Sequence, residues 1–403
     1  MKAFLRKYLE FVRQPDVARL LGVALLARMP VGMVGFSMLM FLRDSLGSFA
    51  LAGSAVGANF IAAAVAAPIQ GRFIDRHGPR RLLWVTAAMQ PLSLAAVLAS
   101  ARLGAPFALV VAAAASAGAF ATPITTLTRT IWRHRFEREE DRRTAFALDA
   151  VTIELNFTLG PALMAAILAT AGATAAFATA IVAVAIAVGI FVASPALRYF
   201  PRDKAVRRHL LGPLTDPRLW TLFAATFGLA VGVGLLEVGY PAYATSLGSP
   251  ALGGLLLGIN SMGSALGGAM YGGLHFKAPV ERQFAAALAL MVLPLFLHSI
   301  VGPVALFALV AFLAGALIAP SIAAQSVLVS RLAPAHYATE AFTWSSTFIV
   351  SGLGAGMALG GHLVEDPGVR SPFAVGAAIV AAMALLALAI APAQRGAPAR
   401  AHD

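Results

Sequence analysis

The chain has 403 residues, of which 59% are hydrophobic and 12% are charged, and its mean hydropathy is +0.81. Soluble globular proteins carry about 25% charged residues, so the composition excludes a soluble fold. Apolar runs of about 20 residues recur along the chain and indicate a membrane protein with many spans. The absence of cysteine excludes disulfides, thiol catalysis and cysteine-based metal sites. The net charge of +12 fits basic cytoplasmic loops, and we expect no nucleic-acid partner.

Twelve apolar stretches follow one another, and each can cross a hydrocarbon core about 30 Å thick. We predict an all-α polytopic membrane protein with spans at residues 17–42, 48–71, 81–101, 105–131, 143–168, 172–194, 218–245, 250–272, 282–299, 302–328, 340–365 and 371–392. The predicted organisation is a cytoplasmic interfacial segment, an N-terminal six-helix bundle, a cytoplasmic linker, a C-terminal six-helix bundle and a cytoplasmic tail, at residues 1–16, 17–194, 195–217, 218–392 and 393–403.

The distribution of Lys and Arg predicts the orientation of the chain. If the N-terminus is cytoplasmic, 26 of the 30 Lys and Arg residues fall on the cytoplasmic side, 3 fall in outer loops and one, Arg28, falls inside a span. Positive residues accumulate in cytoplasmic loops, so we expect both termini in the cytoplasm. The terms inner and outer refer to this predicted orientation.

The two halves of the chain are related in sequence. With a shift of 201 residues, Gly57 aligns with Gly258, and Asn59 aligns with Asn260. With a shift of 197, Pro123 aligns with Pro320. Two six-helix bundles in parallel repeat, with a pathway between them, are typical of transporters.

The loop between the second and third spans contains the most specific motif. It reads GRFIDRHGPRR over residues 71–81 and resembles the G-x-x-x-D-R-x-G-x-R-R signature of the major facilitator superfamily; the matching residues are Gly71, Asp75, Arg76, Gly78, Arg80 and Arg81. Span count, internal repeat and central linker extend the resemblance over essentially the whole chain. It implies a secondary transporter without catalytic activity or cofactor, in which two pseudo-symmetric bundles alternate in access around a central site.

The resemblance also implies a gating role for this loop. Gly71 and Gly78 are expected to allow close helix approach and a tight reversal. In the family the Asp of the motif bridges to the other half, which here implies a contact between Asp75 and the start of the eleventh span near Glu340. The alternative is that Asp75 only neutralises the neighbouring arginines. In the second half, Phe276 replaces this Asp.

The fifth span favours export. Gly160 and Pro161 resemble part of the G-x-x-x-G-P-x-x-G-G pattern of proton-driven exporters, although Leu163 and Met164 stand where that pattern has glycines. Ordinary close packing of small residues is the alternative explanation. An arginine found in the fourth span of many drug exporters is missing from residues 116–123.

Four charged residues fall well within predicted spans: Arg28, Asp149, Glu154 and Glu237. A charge at mid-bilayer costs at least about 2.5–3.5 kcal/mol, so such residues usually have a function. Arg28 and Glu154 lie at similar depth in the first and fifth spans. We therefore predict that they pair, either as a proton-coupling site or as a permanent salt bridge. Asp149 is closer to the inner end, where an inner-gate or surface ion pair is expected.

Other polar residues in the spans each have more than one expected role. Glu237 precedes Tyr240 and Tyr243, and this group is expected either to receive a cation, to form an outer gate or to be a solvated cavity wall. Asn59 and Asn260 occupy equivalent positions and are expected to bind ligand or, preferably, to bridge helices. His298 lies near an outer end and is expected at the membrane interface.

These observations predict a proton-coupled exporter of a small amphipathic or drug-like molecule. The expected partners are the substrate, protons and the lipid bilayer, and the expected assembly is a monomer in a bacterial inner membrane. A nutrient symporter or uniporter is the alternative, and a non-transporting sensor is a weaker one. The sequence contains no H-E-x-x-H, G-x-S-x-G or P-loop motif, so we expect no enzyme activity.

Overall fold

The computed structural model describes residues 11, 13–136, 138–194, 197, 216–274, 276–333 and 338–390. Within these ranges the description excludes the side chains of a few helical residues, at positions 15, 75, 134, 139, 140, 142, 143, 146, 147, 150, 154, 338 and 339. The described part of the chain consists of α-helices and short connections, with no strand. The predicted all-α fold is confirmed.

Six helices make up the described N-terminal half: α1 Pro15–Leu46, α2 Phe49–His77, α3 Pro79–Arg102, α4 Phe107–Ala119, α5 Ile124–Arg135 and α6 Glu139–Ala193. Seven make up the C-terminal half: α7 Pro217–Ser246, α8 Ala251–Gly273, α9 Val280–Ile300, α10 Val304–Gly315, α11 Ile318–Leu332, α12 Ala338–Glu365 and α13 Ser371–Leu388. Most of the predicted interfacial segment, most of the linker and the whole tail lie outside the described residues.

Three predicted spans differ from single straight helices. The long helix α6 is interrupted at Gly172, whose φ of 84° and ψ of 171° are not helical, so it contains the predicted fifth and sixth spans. The fourth span is divided into α4 and α5 just before helix α5, whose N-cap is Pro123. The tenth span is divided in the same way into α10 and α11, near Pro320. Proline lacks a backbone N–H and disfavours a helical conformation before it, which explains both divisions.

Ten helical stretches among the described residues are long and apolar enough to cross a membrane. One of them, Val151–Ala193, covers two predicted spans. Helix α8, which is rich in glycine and includes Asn260, is not among the ten but coincides with the predicted eighth span. The multi-pass architecture agrees with the prediction, while the number twelve stays a prediction.

The two halves contact each other mainly through the helix pairs α2–α12 and α6–α8. Glycines allow the closest approach: a Cβ on Gly57 would be 2.6 Å from the carbonyl oxygen of Gly354, and one on Gly254 would be 2.7 Å from that of Pro161. Among the described residues, these glycine contacts between halves all lie in the predicted outer part of the helices. The structure is therefore closed at its predicted outer end.

Candidate functional site

A buried ion pair connects α1 to α6. The guanidinium Nη1 of Arg28 donates to Asp149 Oδ1 at 2.7 Å and to Thr152 Oγ1 at 3.2 Å. The side chains of Arg28 and Asp149 are only 2% and 1% exposed. Removal of either partner leaves an uncompensated charge in the core, so the pair constrains how α1 packs on α6.

Helix α5 completes the surroundings of Asp149. Trp132 Nε1 donates to Asp149 Oδ1 at 3.2 Å, and Trp132 is fully buried. Arg129 Nε lies 3.7 Å from Asp149 Oδ2, but the Arg129 side chain is 58% exposed. The carboxylate of Asp149 in α6 thus interacts with groups from α1 and α5. Of the two expected ion pairs, the structure excludes the surface one, and an inner-gate role stays a prediction.

The predicted pairing of Arg28 with Glu154 is not what the structure shows, because Arg28 pairs with Asp149 and Thr152. Depth alone suggested Glu154, whereas the direction around the helix decides the partner. Position 154 lies about 200° around α6 from Thr152, at 100° per residue. It is one turn before Thr158, whose carbonyl oxygen would be 3.4 Å from a Cβ on Gly258 of α8. The side chain of Glu154 itself lies outside the described part of the structure.

Some polar atoms at the α1–α6 interface have no hydrogen-bond partner. These buried atoms are Nε and Nη2 of Arg28, Oδ2 of Asp149, and both amide atoms of Asn156. Asn156 faces α1, because a Cβ on Gly32 would be 3.2 Å from its carbonyl carbon. Buried polar groups in native proteins are usually paired, often through ordered water. Sequence analysis missed Thr152 and Asn156, although their spacing from Asp149 by three and seven residues marks one helix face.

Glu237 lies in the outer third of α7, between two tightly packed positions. A Cβ on Gly234, one turn earlier, would be 3.0 Å from the Cα of Gly356 in α12. One turn later, the Cα of Pro241 would be 2.7 Å from a Cβ on Gly253 in α8. Helices α8 and α12 are the ones that contact the N-terminal half, so the Glu237 face of α7 is directed to the interface between the halves. The side chain is partly exposed and has no hydrogen bond or ion pair to the described residues.

Tyr240 and Tyr243, which follow Glu237 in α7, pack into the C-terminal half. Both are buried, and Tyr243 stacks on Phe307 with ring centroids 3.9 Å apart. His298 belongs to the same aromatic cluster: it is 0% exposed and stacks on Phe373 at 5.0 Å. Its Nδ1 bonds to the Pro294 carbonyl at 2.7 Å. The expectation of an interfacial His298 is therefore wrong, because the ring packs inward against the C-terminal half.

Asn59 and Asn260 bridge helices in equivalent ways. Asn59 Nδ2 donates to the carbonyl of Ala114 in α4, and Asn260 Nδ2 donates to that of Ala311 in α10, each at 2.9 Å. Asn260 also donates to the Tyr240 hydroxyl at 3.4 Å. The sequence repeat is thus a structural repeat at this position, and the amide groups are used for helix–helix contact, as preferred from the sequence.

A shallow groove between α2 and α4 has no polar side chain, since its lining is Ala58, Ile61, Ala62, Val65, Ala66, Ile69, Ala115 and Ala119. Ligand sites normally include a few polar groups that fix orientation, so we do not assign it as the transport site. The described residues contain no group of three His, Asp or Glu side chains that could hold a metal ion.

A family model of the Major Facilitator Superfamily matches residues 20–349. The chain belongs to the Major Facilitator Superfamily. It is therefore a multi-pass secondary transporter and not an enzyme. No curated protein matches its sequence significantly.

Solved structures agree with this fold. A mutant of the nucleoside transporter NupG has a TM-score of 0.75 and 13% identity, over 93% of this chain and 99% of that chain. A POT family transporter in complex with 5-aminolevulinic acid has a TM-score of 0.73 and 11% identity, over 94% and 96%. A POT family transporter in complex with a thioalcohol-conjugated peptide has a TM-score of 0.72 and 12% identity, and the match covers 94% of this chain and 96% of that chain. Identities this low show the fold alone.

The superfamily loop is partly described. Gly78 ends α2 and precedes α3 with φ of 77°, so it makes the predicted tight reversal. Among the described residues, no atom lies within 4 Å of a Cβ built on Gly71, so the expected close approach there stays a prediction for another state. Arg76, Arg80 and Arg81 of the motif are exposed. The Asp75 side chain and residues 334–337 lie outside the description, and the contact of Asp75 with α12 stays a prediction.

The fifth-span motif is a packing site between helices. Gly160 lies against α1, where its Cβ would be 2.9 Å from the Cα of Gly32. The Pro161 carbonyl lies against Gly254 of α8, across the interface between the halves. This part of α6 is therefore in contact with both its own half and the other half.

Proposed function

We propose that this superfamily member exports a small amphipathic molecule in exchange for protons, by alternating access. Glu237 is the main support for this proposal. It is a carboxylate within a membrane helix, in its outer third, partly exposed at the interface between the halves and without a hydrogen bond or ion pair among the described residues. Because a charge within the membrane is costly to maintain, such residues commonly bind ions, protons or substrate.

The charges around the centre divide into paired and unpaired groups. Arg28 is neutralised by Asp149 inside the N-terminal half, which leaves that pair with a structural role. Glu237 adds a negative charge that protonation can remove, so its titration changes the net charge between the halves. Glu154, on the row of α6 positions that faces α8, is the second proton-carrier candidate. Binding of a proton or a substrate cation to these carboxylates can then bias the inward and outward states differently.

The solved relatives support a second candidate, a symporter of small polar solutes. They are a nucleoside transporter and POT family transporters in complex with 5-aminolevulinic acid or a conjugated peptide, and these molecules are rich in polar groups. The incomplete exporter pattern at Leu163 and Met164 also fits this candidate. The direction of transport relative to the pH gradient distinguishes the two.

The decisive experiment is transport by the purified protein in proteoliposomes with a mixed panel of nucleosides, amino acids, short peptides and lipophilic cations. A gradient of one pH unit supplies about 1.4 kcal/mol per proton, or about tenfold accumulation. The proposed antiport predicts that a solute accumulates in the more acidic compartment. It also predicts that proton movement, followed with a trapped pH dye, requires that solute. Symport predicts that the solute accumulates in the more alkaline compartment.

Glu237→Gln and Glu154→Gln test the proton carriers. If one of these residues carries the proton, its Gln variant should lose the tenfold gradient-driven accumulation and keep solute exchange at equal pH. The reason is that the amide preserves the shape of the side chain but cannot titrate. Glu281→Gln is the control, since Glu281 lies in the first turn of α9 at the inner end. Full gradient-driven accumulation in the Glu154→Gln/Glu237→Gln double variant contradicts proton coupling through these residues.

A further inference from the structure

The last residue of α12 contacts the first turn of α2, across the interface between the two halves. Oε1 of Glu365 accepts a hydrogen bond from the backbone N–H of Ala50 at 3.1 Å. The first-turn amides of a helix have no partner inside the helix, and they carry a partial positive charge. Ser48, the N-cap of α2, accepts from Leu51 N at 3.0 Å, so the carboxylate of Glu365 adds a second cap supplied by the other half.

The surroundings of Glu365 keep the two helices in register. His362, one turn earlier in α12, lies 3.3 Å from the Ser54 hydroxyl in α2. Between these two polar contacts, a Cβ on Gly361 would be 3.0 Å from the Cα of Ala50. The hydrogen bonds of Glu365 with the start of α2 and the contact of His362 with Ser54 join the two halves, and both lie at the predicted outer end.

We propose that Glu365 is the outer latch of this transporter, a carboxylate of the C-terminal half that caps α2 only while the outer side is closed. When the halves separate at the outer end, the Ala50 amide and the carboxylate must part and be solvated separately. The contact therefore stabilises the closed state relative to the outward-open one, and its removal shifts the population. The role requires alternating access but neither proton coupling nor a particular substrate.

The position of this latch gives α2 and α12 a reciprocal arrangement. The two helices are antiparallel, and Glu365 at the C-terminal end of α12 meets the N-terminus of α2. Asp75 lies near the C-terminal end of α2, and its predicted partner is the N-terminus of α12. The α2–α12 pair would then be joined by Glu365 at the outer end in one state and by Asp75 at the inner end in the other.

The latch can be tested by distance measurements, because the chain contains no cysteine that must first be removed. Spin labels at Leu103→Cys and Leu247→Cys report the outer separation, and labels at Arg133→Cys and Arg331→Cys report the inner one; all four side chains are exposed. Measurements use the full chain in nanodiscs without substrate or pH gradient. Glu365→Gln is expected to lower the ratio of outer-closed to outer-open molecules by about three- to tenfold.

Asp366→Asn is the matched control. It removes the same charge from the next residue, which is exposed, and should leave both distance distributions unchanged. Ser48→Asp combined with Glu365→Ala supplies an anionic cap from within α2 itself and leaves no side chain at position 365 that can bond across the halves. If Glu365 only stabilises α2, this combination restores the native distribution; if it is a latch, the outer pair stays shifted.

Glu365→Asp keeps the proposal testable if the Gln variant is poorly folded, since withdrawal of the carboxylate by one methylene should give an intermediate shift. Identical outer distances in wild type, Glu365→Gln and Glu365→Asp overturn the latch, as does full rescue by Ser48→Asp. If the wild-type protein shows no proton coupling but the Glu365 variants still shift the outer distances, the proposed antiport is contradicted and the latch is supported.

Discussion

At the scale of single residues, the Arg28–Asp149 pair shows that each charge of a buried ion pair depends on its partner for stability. Both charges are removed from water, which costs several kcal/mol per ion before their attraction is counted. The hydrogen bonds from Arg28 Nη1 and from Trp132 Nε1 to the same carboxylate oxygen offset part of that cost. We therefore interpret the pair as a contact that holds α1, α5 and α6 together.

This assignment predicts the stability of single and double variants. Asp149→Ala leaves the guanidinium of Arg28 buried and unpaired, and it should lower the free energy of unfolding by about 3–5 kcal/mol. The double variant Arg28→Met/Asp149→Leu replaces the pair with apolar side chains of similar size and should recover most of that loss. Reversible unfolding in mixed micelles measures both values.

Arg43→Ala provides the comparison for an exposed pair. Arg43 Nη1 lies 3.0 Å from Asp44 Oδ1, and the two side chains are 35% and 47% exposed. Its loss should cost less than about 1 kcal/mol. A cost for Asp149→Ala no larger than that of Arg43→Ala would show that the buried pair does not hold the helices together.

At the scale of elements, the sequence predicted the helices better than their contacts. The division of α6 at Gly172 coincides with the predicted boundary between the fifth and sixth spans. The separation of α4 from α5 at Pro123 was not predicted, although proline is a local signal for a helix boundary. The partner of Arg28 depends on the rotation of α6 about its axis, and its prediction from depth alone was wrong. Glu365 was missed because its contact exists only when two halves distant in sequence come together.

The glycines of the two repeats predict a packing effect at the element scale. A Cβ on Gly118 of α4 would overlap the carbonyl oxygen of Asn59, and one on Gly315 of α10 would overlap that of Asn260. Each glycine therefore lets its helix approach close enough for the asparagine bridge at 2.9 Å. Gly118→Ala and Gly315→Ala should each lower the unfolding free energy by about 1–3 kcal/mol through overpacking.

Gly189→Ala is the control for this prediction. Gly189 lies inside α6 with no atom within 4 Å of an added Cβ, so alanine should be neutral or stabilise the helix by up to about 1 kcal/mol. Asn59→Ala, which removes the bridge without adding volume, should cost about 0.6–1.7 kcal/mol. If the Gly118 and Gly315 variants are as stable as Gly189→Ala, the helices do not require this close approach.

At the scale of the whole molecule, the distribution of charge should fix the orientation in the membrane. The segments assigned to the inner side carry 26 of the 30 Lys and Arg residues, against 3 in the outer loops, and such asymmetry determines topology during insertion. Closure at the end that carries Glu365 corresponds to closure toward the outside only if this orientation holds. Side-specific labelling therefore tests the topology and the meaning of the closed end together.

The exposed single-cysteine variants provide that test. A membrane-impermeant maleimide added to intact cells should label Leu103→Cys and Leu247→Cys, which lie at the predicted outer ends of α3 and α7. It should label Arg133→Cys and Arg331→Cys only in inside-out vesicles, because the inner ends of α5 and α11 face the cytoplasm in this orientation. If all four results are reversed, the orientation in the membrane is opposite to the predicted one, and Glu365 lies at the inner end. A mixed result, with Leu103 and Leu247 on opposite sides, means an odd number of spans between them and overturns the twelve-span count.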